Sequence, residues 1–221
     1  MISIECGPVI GGVCVTDKSC LLQISAQLRA LTECIENKNV ESVMIRILSI
    51  SGSLRAQSSN TSLLQAARHL APPDMTITPY DGLADLPHFN PDLEAVLPLP
   101  VRNLRERVGD ADALLICCPE YARGIPGSFK NALDWLVGCT RFPGKPVALF
   151  NASARASAAQ AALRLVLETM SAHIVDDACI TVDLLAKGLS PKAIAADLAI
   201  AVPVRVALAT LAAEVRRATG D

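Results

Sequence analysis

The chain is short of aromatic residues, of histidine and of any charge excess, and each shortage removes a class of function. One tryptophan, two tyrosines and four phenylalanines are too few to build a stacking platform for single-stranded nucleic acid. Twenty basic residues against 22 acidic ones leave a net charge of −2. No basic field therefore draws in nucleic acid or an anionic membrane, and neither is expected as a partner. His69, His88 and His173 stand alone in the sequence, and each reads as a surface or packing residue, not as a catalytic base. Eight cysteines are present, but there is no Cys-x-x-Cys pair and no zinc-ribbon or zinc-finger spacing. No metal is expected, and the thiols read as reduced side chains of a cytoplasmic protein. Uninterrupted apolar stretches such as 113–118 and 147–150 fall well short of the roughly 18 residues that span a membrane. The start of the chain has no basic segment, carries Glu5 and lacks a small-residue cleavage site, so it does not read as a secretory signal.

What is present is a large apolar fraction. With 51% hydrophobic residues and a mean hydropathy of +0.37 over 221 residues, the chain can bury the core of one α/β domain or one and a half. Residues 1–43 differ from the rest. They hold Cys6, Cys14, Cys20 and Cys34, with three basic residues against five acidic ones. Leu21, Ile24, Leu28, Leu31 and Ile35 recur at steps of three and four, a helical stripe that Asp17 or Ser19 would cap. This segment is expected to be an extension outside the main fold, with residues 44–221 forming the functional domain.

From Met44 the pattern becomes regular. Apolar runs at 45–51, 75–80, 113–118, 147–151 and 178–182 read as strands. Helical segments are expected at 61–70, 101–108, 127–137 and 157–171. A last helix is expected from the turn at 188–191 to about Arg217, with a possible break at Pro203. Five strands alternating with helices predict a parallel sheet covered on both faces, a three-layer α/β/α sandwich.

Two turns that leave strands and enter helices carry the chemistry. In such a sheet they lie together at the carboxyl ends of the strands, where ligands bind. The first runs Gly52-Ser53-Leu54-Arg55-Ala56-Gln57-Ser58-Ser59-Asn60. Gly52 permits a sharp exit from the strand. Hydroxyls, an amide and a guanidinium at a helix start suit a phosphate, or equally a polar loop with a serine cap. The lysine of a triphosphate loop and the glycine spacing of a dinucleotide fingerprint are both missing, so a terminal monophosphate fits better. The second turn, 119–135, is punctuated by Pro119, Gly124, Pro126 and Gly127, with Glu120 and Tyr121 at the strand end. Its Lys130 and Asp134 read as a solvated i,i+4 pair. Its Phe129 and Trp135 read as helix-to-sheet core.

The two turns together resemble the NADPH-dependent FMN reductase family of flavodoxin-like proteins, which includes quinone, azo-dye and chromate reductases. The matching residues are Gly52-Ser53-Leu54-Arg55, Ser58-Ser59-Asn60, Pro119-Glu120-Tyr121, Pro126-Gly127 and Lys130-Asn131-Ala132-Leu133-Asp134-Trp135. The 86–93 stretch also matches. The likeness covers 44 to about 182. It implies strand order 2-1-3-4-5 and an FMN cofactor, with NADPH or NADH as electron donor. Carried over by position, Ser53, Arg55, Ser58 and Asn60 would hold the FMN phosphate. Pro119, Glu120, Tyr121 and Gly124 would line its ring. The loop after the fourth strand usually carries paired glycines in the family. Here it reads Asn151-Ala152-Ser153-Ala154-Arg155-Ala156, so Ser153 and Arg155 would reach the ring or the nicotinamide nucleotide instead.

The resemblance further implies hydride transfer by ping-pong turnover to a small-molecule acceptor, with no side chain acting as catalytic acid or base. It implies a homodimer or homotetramer, for which Phe89, Leu93 and Trp135 are the expected contact residues. Two other readings fit the same fold. One is an electron carrier, against which the low acidity and 3% aromatic content argue. The other is a flavin-free binding protein.

Overall fold

The computed structural model describes residues 44–184 and 188–220. The expected helix near residues 21–35 lies outside them. Six strands form one parallel sheet: β1 (Ile45–Ser51), β2 (Met75–Pro79), β3 (Ala113–Cys117), β4 (Pro146–Asn151), β5 (His173–Ile174) and β6 (Ile180–Thr181). Their order is β2-β1-β3-β4-β5, with β6 also pairing to β4. Six helices accompany it: α1 (Ser59–Leu70), α2 (Leu99–Asp110), α3 (Gly127–Leu136), α4 (Ser157–Thr169), α5 (Pro191–Ala196) and α6 (Leu198–Thr219). This is the flavodoxin-like order expected from the sequence.

Alternation along the strands sorts the core onto two faces. Ile45, Ile47, Ala113, Leu115, Cys117, Ala148 and Phe150 pack with α1, α5 and α6. Leu48, Ile50, Leu114, Ile116, Cys118, Val147 and Leu149 pack with α2, α3 and α4. Burial on both faces is why β3 and β4 read as unbroken apolar runs rather than alternating ones.

Three expectations are corrected. The fifth strand is two short pieces, β5 and β6, separated by a 3-10 turn at Asp176–Ala178. The apolar run at 178–182 therefore marked only the second piece. The final helical segment breaks at Asp197, not at Pro203. Asp197 caps α6 by accepting a hydrogen bond from Ala199 N at 3.0 Å, and the helix continues through Pro203. Trp135 is 0% exposed, so it is a core residue and no candidate for a subunit contact. Its indole Nε1 donates to Pro87 O at 2.7 Å, and Phe89 meets it edge-on with ring centroids 5.0 Å apart.

Helix α6 was also underestimated. Within its 22 residues an 18-residue window reaches a mean hydropathy of 1.8, enough by length and composition to cross a membrane. In this fold Ile200, Val204, Leu208, Leu211 and Val215 turn one face into the core, the packing of a surface helix on a sheet.

Candidate functional site

Three strand exits meet at the carboxyl edge of the sheet, after β1, β3 and β4. They enclose a cavity of about 330 Å³ lined by residues of 53–60, 118–121 and 151–156. The size lies at the lower end of small-molecule sites.

The first wall begins at Gly52, whose N–H donates to Cys117 O at 2.9 Å. A Cβ there would lie 2.9 Å from Cys118 Sγ and 3.2 Å from Cys118 Cα. The glycine is needed because two strands approach closely, not because the exit demands a left-handed turn. Ser53 N then donates to Ser51 Oγ at 3.3 Å, and Arg55 N to Ser53 Oγ at 3.3 Å. Ser58 caps α1, its Oγ accepting from Thr61 N at 3.4 Å. The Ser53 and Ser58 oxygens act as acceptors, which leaves their O–H protons available to a ligand, while Ser51 Oγ shares a hydrogen bond with Thr61 Oγ1 at 2.9 Å. Asn60 is oriented the same way. Its Oδ1 accepts from the Cys117 thiol at 3.1 Å, which turns Nδ2 outward as a donor.

The floor is Cys118, Pro119, Glu120 and Tyr121. Burial pushes the Cys118 thiol up to about 12 and raises Cys117 further still, with burial again the largest cause. Both are thiols at neutral pH and poor nucleophiles. After Tyr121 the chain reverses in a tight hairpin. Tyr121 N donates to Gly124 O at 3.1 Å and Gly124 N to Tyr121 O at 3.0 Å. Ala122 and Arg123 occupy the tip at φ 48° and 60°, left-handed conformations that cost side-chain-bearing residues about 1–2 kcal/mol each. Gly124 therefore does not line the cavity but closes the turn beside it.

The third wall follows β4. Ser153 N donates to Asn151 Oδ1 at 3.1 Å, and Arg155 N to Ser153 Oγ at 3.2 Å. No side chain of its own caps α4. Glu120 does so from the neighbouring wall, its Oε2 accepting from Ala159 N at 3.0 Å. That contact braces the second loop against the third.

Of the ten residues singled out from the sequence, Ser53, Arg55, Ser58, Asn60, Pro119, Glu120, Tyr121, Ser153 and Arg155 line one cavity. Only Gly124 does not. Ser59, part of the polar first turn, lines the cavity too, and sequence reasoning missed Cys118, Asn151, Ala152 and Ala156. Asn151 carried a readable signal, because Asn151-x-Ser153-x-Arg155 repeats the spacing of Ser51-x-Ser53-x-Arg55.

Comparison with known proteins finds similar reductases. The chain is 43% identical over 113 residues to an NAD(P)H-dependent FMN reductase of Pseudomonas aeruginosa, covering 50% of this chain and 60% of that protein. It is 38% identical over 112 residues to a 2-hydroxy-1,4-benzoquinone reductase of a Burkholderia species, covering 49% and 61%. These alignments span about three fifths of the relatives' length. Among solved structures, a flavoenzyme NAD(P)H:(acceptor) oxidoreductase of Paracoccus denitrificans superposes with a TM-score of 0.62 at 27% identity. That match covers 78% of this chain and 98% of the other. The model of NADPH-dependent FMN reductases matches residues 45–185. The chain belongs to the NADPH-dependent FMN reductase family.

Proposed function

We propose that this chain is an FMN-dependent NAD(P)H oxidoreductase acting on quinone-type acceptors, in keeping with the names of its relatives. The observation that carries the reading is the meeting of three strand exits on one cavity whose α1 end is made of outward donors. The residues present fit FMN. Ser53, Ser58, Asn60 Nδ2 and Arg55 at a helix start match a terminal phosphate. Pro119, Glu120 and Tyr121, with Gly124 closing the hairpin, form the floor along a flat ring, and Ser153 and Arg155 face it from the third wall. When bound, FMN supplies two-electron hydride chemistry between a nicotinamide and an acceptor. The side chains bind and orient, and none serves as acid or base. One open mouth admits donor and acceptor in turn, so turnover is ping-pong. Azo dyes, chromate and free flavin are further acceptors open to such a face. Residues 44–221 are the working domain, and the enzyme acts in the cytoplasm as a homodimer or homotetramer.

The test is titration of the purified protein with FMN, followed by NADPH oxidation with a quinone. Wild type should quench FMN fluorescence and give parallel double-reciprocal plots. Arg55→Ala should weaken FMN by about tenfold or more, since a charge-assisted hydrogen-bond set contributes about 1.5–3 kcal/mol. Unchanged FMN affinity in the variant would sink the phosphate assignment, and intersecting plots the ping-pong order.

A further inference from the structure

We propose that the loop after β4 is a second anion-binding arm, in which Arg155 receives a negatively charged group on the second substrate rather than the cofactor's phosphate. The inference rests on the FMN reading above and extends it to what enters after the cofactor.

The two arms are built alike. In each, the side chain of the strand's last residue (Ser51 or Asn151) accepts from the backbone N–H two residues on. That residue is a serine, and its Oγ in turn accepts from the N–H of an arginine. Both arginines are exposed and both line the same cavity. Neither guanidinium has a hydrogen bond or an ion pair among the described residues; Arg68, Arg102 and Arg123 share that state but line no part of this cavity. The one acid in the lining is Glu120, whose Oε2 is engaged by Ala159 N. The cavity thus holds two cations and one committed carboxylate.

Position separates their tasks. β1 and β4 are the two neighbours of β3, so the arms stand two strand spacings apart, about 10 Å. A monophosphate seated at the α1 start takes Ser53, Ser58, Asn60 and Arg55 and lies against the first arm. Arg155 is left facing the cavity from the other side with its charge unmatched. The matching chemistry is an oxyanion on the donor or on the acceptor. On the donor it is a phosphate of the nicotinamide nucleotide. On the acceptor it is the ionised hydroxyl of a hydroxyquinone. Arg155 is then a specificity-determining residue, selecting charged over neutral second substrates.

The experiment compares FMN-loaded wild type, Arg155→Ala and Arg155→Lys. In ping-pong turnover kcat/KM reports each substrate separately, so NADPH, NADH, 2-hydroxy-1,4-naphthoquinone (an anion at neutral pH) and neutral menadione are each measured. FMN affinity and calorimetric binding of 2′,5′-ADP are measured alongside. Arg155→Ala should lose about tenfold or more in kcat/KM for an anionic substrate, against a much smaller change for menadione, and Arg155→Lys should recover part of the loss. Loss on NADPH alone, with weaker 2′,5′-ADP binding, identifies the 2′-phosphate. Loss on both nicotinamides identifies the pyrophosphate. Loss on the hydroxyquinone identifies the acceptor. Equal effects on all four substrates, no effect on any, or weakened FMN binding would overturn the proposal. The last result would mean that both arginines converge on one phosphate. A wild-type protein that takes up no FMN would overturn the functional reading itself, a different result from any of these.

Discussion

At the scale of single residues, the site depends on what has already been hydrogen-bonded away. Asn60 and Ser58 present donors to the cavity because their acceptor atoms are occupied by Cys117 and Thr61. Cys117 and Cys118 face opposite sides of the sheet, as adjacent strand residues must, and only Cys118 reaches the cavity. Gly52 is the described glycine at which an added Cβ would come nearest to backbone. Gly52→Ala should destabilise the fold by about 1–3 kcal/mol, the usual consequence of forcing a methyl into packed backbone. The added Cβ would press on Cys118 Sγ and Cα together, and the backbone atom cannot swing aside. The shift in urea midpoint at constant slope measures it. An unchanged midpoint would show that β1 and β3 separate freely.

At the scale of elements, side chains from one loop complete another. Asn131 accepts from Phe89 N at 2.7 Å and donates to Pro87 O at 2.9 Å. The family-like Lys130–Trp135 stretch therefore fastens the 86–93 loop and does not touch the cavity. Lys130 and Asp134 form the expected i,i+4 pair at 2.5 Å. Helix α4 (Ser157–Thr169) follows Ala156, which has no side chain able to cap it, and borrows the carboxylate of Glu120. Glu120→Ala should cost about 0.5–2 kcal/mol, the range for loss of a cap, and should speed proteolysis in the 151–156 loop. Glu120→Gln keeps an acceptor oxygen and should behave nearly as wild type. Equal melting temperatures and cleavage rates for wild type and Glu120→Ala would show that the brace contributes nothing.

At the scale of the whole molecule, the Arg46–Asp112 pair ties part of the stability to pH. Burial pushes the Asp112 carboxyl up, but hydrogen bonds from Arg46 and the charges of Arg46 and Lys145 outweigh it and hold the group below its ordinary 3.8. Arg46 N and Nη2 meet the two carboxylate oxygens at 2.7 and 2.8 Å. A carboxylate depressed in the folded state stabilises above its unfolded value and loses that contribution as pH falls through the folded one. The window therefore lies below about pH 4. Asp112→Asn should flatten the fall in urea midpoint between about pH 4 and pH 2. An identical acid profile would remove the pair from the account. The described residues 44–184 and 188–220 form both core faces, and every proposed cofactor contact is among them. A chain beginning at Met44 should accordingly fold and bind FMN. An insoluble or colourless product would show that residues 1–43 cover part of that core.

The sequence by itself determined the parallel sheet, the pairing of each strand exit with a helix start, and the polar set from Ser53 to Asn60. These follow from local rules: β3 and β4 are apolar because both faces are covered, and caps and prolines mark where helices begin. It misjudged elements whose limits depend on neighbours. The outer strand is split because β4 pairs first with His173–Ile174 and then with Ile180–Thr181, and no run of residues at the edge reveals that. Pro203 was overweighted because a proline early in a helix removes only one backbone bond, which tertiary packing of α6 offsets. The roles of Gly52, Glu120 and Trp135 emerged only when distant segments were brought together. Gly52 answers to Cys118 across the sheet, Glu120 to Ala159 39 residues away, and Trp135 to Pro87 O 48 residues away. Such contacts have no local signature, because their partners become neighbours only when the chain folds.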